Sequence, residues 1–149
     1  MSKLSWLKLL TELQKKSAQK TESGAFLLSP VNSNKITKFI FYDDLDPRCR
    51  DYGYINFNCE KYTDLWAICE REHLKVCADV HTHPSEWVEQ SSIDETHPMI
   101  SQPGHIALIL PNYGKDGHHY KKIGVYEYQG NHRWITHKYL SKKIRVSWL

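Results

Sequence analysis

From Leu4 to Lys16 the chain mixes apolar residues with charges in the manner of an amphipathic helix, which predicts a first helix over about residues 2–20. The period then changes. Residues 24–29 form an apolar, strand-like run, and residues 35–42 alternate well enough to be its partner strand, with a polar turn at 43–51 and a short strand at 52–58 after it. Residues 62–71 return to helical spacing, with Leu65, Ile68 and Cys69 on the inward side. A central strand at 75–81, a second buried strand at 105–110 and a hairpin of 123–128 with 133–136 around Gly130-Asn131 complete the series. The order predicts an α/β chain of the α+β type, a mixed β-sheet flanked by helices.

Composition narrows the class. With 149 residues the chain fits one domain, 1–149, and can bury a real core. Cys49, Cys59, Cys69 and Cys77 contain no Cys-x-x-Cys pair and no secretory context accompanies them, so free thiols in a reducing cytoplasm are expected. Charges interrupt the first apolar segment and no small-residue cleavage site follows it, which argues against a signal peptide and a membrane span. The formal charge of +3 is modest, and the basic stretches Lys121-Lys122 and 138–145 are accounted for by a solvated face, without nucleic acid. Trp6, Trp66, Trp87, Trp134 and Trp148 are expected mostly in the core or at interfaces, with Trp87 a candidate wall of a substrate groove.

The chemistry is concentrated after residue 80. Val80-His81-Thr82-His83 brings two histidines to one face of an extended strand, Pro84 ends the strand, and the ten intervening positions, 84 to 93, let the chain turn back to deliver Asp94. Two imidazoles and one carboxylate form a catalytic zinc set, because three protein ligands leave the fourth position to a water. Nine histidines in the chain make the pair alone weak, so companions matter. Glu22, opening the run Glu22-Ser23-Gly24-Ala25-Phe26-Leu27-Leu28, is a candidate general base, or an exposed acid at a strand start. Ser91 is a candidate hydrogen-bond donor to an oxyanion, or the cap of a short helix at 91–95, and the two roles can coexist. His97 is expected to support the site without being a fourth ligand, and His118 and His119 to be solvated.

These residues resemble the JAMM (MPN+) metallopeptidases, whose motif is an upstream Glu followed by His-x-His-Pro, six residues, Ser, two residues and Asp. Every position is filled, over roughly residues 20–130: Glu22 matches the catalytic acid, His81, His83 and Asp94 the zinc ligands, and Ser91 the oxyanion serine, with Gly24 following Glu22. The stretch from Asp94 to Tyr113, with its Pro103-Gly104 turn and Leu110-Pro111-Asn112, looks like the prokaryotic branch. The resemblance implies a JAMM/MPN fold, a curved mixed sheet flanked by helices with zinc at the strand ends. It further implies an isopeptidase or peptidase cleaving after the C-terminal glycine of ubiquitin or a ubiquitin-like protein. Its partners would be that protein or its conjugates, with activating-like and conjugating-like enzymes, in a bacterial conjugation or antiviral defence system.

Two rival readings stay open, with a third more distant. A DNA-repair-associated JAMM-like protein shares the His-x-His-Pro-Ser spacing through Ser85, but Glu86 stands where that group usually has Gly. An inactive scaffold of the same fold would generally have lost a ligand or the acid, and all are present. A nucleotide deaminase would need a Pro-Cys-x-x-Cys segment that the chain lacks.

Overall fold

Ile106-Ala107-Leu108-Ile109-Leu110 is apolar at every position and buried at every position, because it is an inner strand covered on both faces. The computed structural model describes residues 1–140 and 143–148. Among these, six strands, β1 (Gly24–Pro30), β2 (Lys38–Phe41), β3 (Leu74–Thr82), β4 (Ile106–Leu110), β5 (Gly124–Gly130) and β6 (Arg133–His137), form one mixed sheet in the order β2-β1-β3-β4-β5-β6. β3 and β4 run parallel, and the other neighbouring pairs are antiparallel. The sheet and its flanking helices match the expected α+β class.

The period-two alternation of the inner strands divides the core in two. Ala25, Leu27, Ala78, Val80, Leu108, Leu110 and Val125 face helix α1 (Lys3–Ser17), whose Trp6, Leu9, Leu10 and Leu13 recur at helical spacing and are buried, together with Leu140 and Ile144. Phe26, Leu28 and Ile40 face the other way, onto Leu65 and Cys69 of helix α3 (Tyr62–Glu72) and onto Tyr42, which opens the single helical turn α2 (Tyr42–Leu45). Parallel pairing of β3 with β4 obliges the chain to return from one end of the sheet to the other, and the connection 83–105 does so, carrying the short helix α4 (Ser92–Thr96). No helix among the described residues is long and apolar enough to cross a membrane.

Four expectations need correction. Helix α1 stops at Ser17, before residue 20, because Ala18 and Gln19 enter the left-handed region and the Ala18 N–H closes back on the Gln14 carbonyl. Strand β2 is shorter than 35–42: pairing with β1 begins at Lys38, and Tyr42 already belongs to α2. Residues 52–58 are not a strand. The Ile55 N–H donates to the Glu22 carboxylate and the Asn58 N–H to that of Asp46, while Asn56 N–H reaches the Cys49 carbonyl, so this backbone is satisfied by side chains and a loop and joins no ladder. Of the tryptophans, Trp6 lies in the core, whereas Trp66, Trp87 and Trp148 are exposed, and Trp87 is not among the residues lining the cavity described below.

Candidate metal centre

His81 is the penultimate residue of β3, paired with Gly24 of β1 on one side and Ile109 of β4 on the other. The extended backbone continues one residue past the strand, because the His83 N–H donates to the Leu110 carbonyl and the His83 carbonyl accepts from the Tyr113 N–H. Two residues apart, both imidazoles therefore share a face, and both are buried. The Trp87 carbonyl lies 3.0 Å from His83 Nδ1, which places the proton there and leaves Nε2 as the free donor to a metal.

Asp94 arrives from α4. Ser91 caps that helix, its hydroxyl accepting from the Asp94 N–H at 3.1 Å, and the Asp94 carboxylate returns the favour. The Ser91 N–H and hydroxyl both donate to Asp94 Oδ2, at 2.7 and 2.8 Å. So fixed, Asp94 Oδ1 lies 3.3 Å from His81 Nε2, Oδ2 lies 3.4 Å from His83 Nε2, and the two Nε2 atoms are 3.1 Å apart. Bonds of about 2.0–2.2 Å to one ion would set neighbouring tetrahedral donors roughly 3.3–3.6 Å apart. The two carboxylate–imidazole spacings fall in that range and the imidazole pair stands slightly closer, so His81, His83 and Asp94 form a group that could hold a small divalent ion, the one such group among the described residues.

The electrostatics agree with a cluster of mutually dependent groups. Burial acts to raise Asp94, but hydrogen bonds from His81 and His83 hold its carboxyl well below the ordinary carboxylate range. Burial acts to lower His81, and the Asp94 hydrogen bond and charge outweigh it and raise the imidazole. Glu22, half-buried immediately before β1, is raised by its burial against the opposing pull of His81, of the Ile55 N–H and of His83. Of the five motif residues, His81, His83 and Asp94 come together, Ser91 is bonded to Asp94, and Glu22 is bonded to the Ile55 N–H and feels the charges of His81, His83 and Asp94.

Two features were missed. Asp79, two residues before His81 on the same face of β3, is fully buried and accepts from the Tyr42 hydroxyl at 3.0 Å, with His105 Nε2 2.5 Å from its other oxygen. A carboxylate between Ala78 and Val80 in a buried strand was the available signal, since such a group requires partners. The second is a cavity of about 500 Å³ beneath the connection 83–105, bordered by His81 and Asp94. His97, exposed and bonded to Thr96, borders it too without joining the donors, and His118 and His119 are exposed.

No protein-family model matches the chain. Among solved structures it is similar to the solution structure of protein DSY2949 from Desulfitobacterium hafniense, with a TM-score of 0.64 over 98% of this chain and 90% of that chain, at 13% sequence identity. At that identity the likeness is one of fold.

Proposed function

We propose that this chain is a zinc-dependent peptidase or isopeptidase with a JAMM/MPN fold, cleaving after the C-terminal glycine of ubiquitin or a ubiquitin-like protein in the cytoplasm. Its setting is a bacterial ubiquitin-like conjugation or defence system, with activating-like and conjugating-like enzymes as partners. The observation that carries the reading is the spacing of the His81, His83 and Asp94 donors, 3.1 to 3.4 Å, with the carboxyl of Glu22 near enough to respond to their charges.

When bound, zinc supplies Lewis acidity: it polarises a scissile carbonyl and lowers the pKa of a water toward neutrality. Glu22 takes the proton of the attacking water and passes it to the leaving nitrogen, a task suited to a carboxyl whose pKa burial has raised. The Trp87 carbonyl keeps His83 in the tautomer a ligand needs. Ser91 donates two bonds to the Asp94 carboxylate, one from its N–H and one from its hydroxyl, so the hydroxyl can turn to a developing oxyanion while the N–H retains Asp94.

The test is incubation of the zinc-loaded protein with ubiquitin and ubiquitin-like proteins carrying C-terminal extensions or isopeptide-linked lysines, with and without a chelator. Chelator-sensitive cleavage after the terminal glycine is expected. Absence of cleavage across the panel overturns the reading.

A further inference from the structure

The cavity beside the donors has a composition that selects its occupant. Its floor is the sheet, where Ala107 leaves room beside Ile109, and its walls are the rings of Phe57, Tyr62 and Trp134 with the side chain of Met99. The polar tips of these walls are engaged elsewhere. The Tyr62 hydroxyl donates to the Met99 carbonyl and the Trp134 indole N–H to the Glu95 carbonyl, so both rings turn only carbon toward the space. Of the polar groups that line it, Tyr42 and Asp79 are bonded to each other, and Asp79 also to His105 behind them. A cavity of about 500 Å³ lies within the range of ligand pockets, roughly 300–1,000 Å³, and this one is lined mainly by rings and aliphatic carbon, with polar side chains such as Gln90, His97 and His132 among them and the charged Asp94 at the donors.

Its position says which part of a substrate reaches it. Ile55 and Asn56 line it, and the Ile55 N–H is bonded at 3.1 Å to Glu22, the group that would hand a proton to the departing nitrogen. His81 and Asp94 line it as well, whereas Ser91 does not. Resting on the peptidase reading above, we infer that the cavity is a specificity pocket for the side chain of the residue that follows the scissile bond, and that this side chain is bulky and apolar, aromatic above all. The preferred substrate is then a linear extension, glycine followed by such a residue, as in a precursor. An isopeptide-linked lysine would leave the pocket empty or carry a target's backbone into it.

The test uses ubiquitin extended at its C-terminal glycine by X-Ala-Ser, the matching peptides Gly-Gly-X-Ala-Ser, and an isopeptide-linked diubiquitin, with X as Phe, Leu, Gly or Asp. We expect kcat/KM about 10- to 100-fold higher for Phe than for Gly or Asp, the scale of discrimination that filling an apolar pocket supplies. Met99→Trp, which fills the space from the wall, should cut the Phe rate far more than the Gly rate, while its zinc content and Tm report that it is folded. Equal, chelator-sensitive rates for all four X, or faster cleavage of diubiquitin, overturn the pocket and leave the peptidase reading standing. No chelator-sensitive cleavage of any substrate overturns both.

Discussion

Gly24 stands directly opposite His81 across the β1–β3 ladder, and it is a glycine for reasons of space. A Cβ at this position would fall inside the ring of Tyr42 and 2.8 Å from the Val80 carbonyl, which is backbone and cannot swing aside. Tyr42 in turn holds Asp79, so His81, its cross-strand partner Gly24 and the buried carboxylate form one packed unit. Gly24→Ala is expected to destabilise the fold by about 1–3 kcal/mol, the cost of overpacking, in chemical denaturation. It should also weaken zinc binding, and a variant with unchanged denaturation midpoint and zinc affinity contradicts this account.

Glu22→Gln preserves shape and hydrogen bonding to Ile55 but removes the proton acceptor. Zinc content, read by atomic absorption, should stay near one ion per chain, as three donors remain, while kcat falls roughly 10²- to 10⁴-fold. Wild-type turnover in this variant would sink the catalytic assignment.

Ser91→Ala separates two duties of one hydroxyl. Loss of its bond to Asp94 Oδ2 should weaken zinc affinity about 10- to 100-fold, the usual effect of removing a group that orients a ligand. If the hydroxyl also meets an oxyanion, kcat at saturating zinc should fall a further ~10²-fold. Full recovery of kcat on zinc titration confines Ser91 to holding Asp94.

The pH dependence of stability should differ in slope between the metal-free and zinc-loaded protein. In the metal-free chain His81 is raised by Asp94, so its contribution is complete below its unfolded value, about 6.5, and is lost as pH rises through the higher folded value. Asp94 is depressed, so its contribution is present above about 3.9 and is lost as pH falls toward its folded value. Metal-free Tm should therefore decline from pH 6.5 upward. Zinc competes with protons for the same nitrogens and binds better as pH rises. The gap in Tm between the two forms should widen from pH 6 to pH 8, and a constant gap in differential scanning calorimetry refutes the linkage.

His105→Ala removes a partner of a carboxylate with no access to water. The expected loss is about 3–5 kcal/mol, against roughly 1.5–3 kcal/mol for Tyr42→Phe, which removes one hydrogen bond and keeps the ring. Urea denaturation of both variants checks the order, and equal small losses would mean that Asp79 is better hydrated than its surroundings indicate.

The legible parts of the chain are those whose partners are close in sequence or whose burial is two-sided. β4 is a continuous apolar run because helices and connections cover both its faces, and the Ser91/Asp94 pairing was visible as a cap signal three residues long. His81 and His83 were legible through a local spacing of two. Residues 52–58 were not, since their hydrogen-bond partners, Glu22 and Asp46, lie far along the chain or in a turn, and alternation of side chains says nothing of a backbone that pairs with carboxylates. The cavity was invisible for a related reason. It arises from the fit of Met99, Trp134 and Phe57, which come from three separate segments.

The parallel pairing of β3 with β4 has a mechanical consequence. The donors lie on both sides of a junction: His81 and His83 belong to the sheet, Asp94 to the connection that crosses it. An ion held by all three is a rivet between a rigid plate and a strap, and it shortens the free loop between residues 83 and 105 from one long span to two lesser ones. The strap also lines the cavity, so on the proposed reading loading a metal would shape that space as well. A protease offered both forms would then cut the metal-free chain first between Pro84 and Gly104, which makes limited digestion a gauge of metal occupancy that needs no substrate.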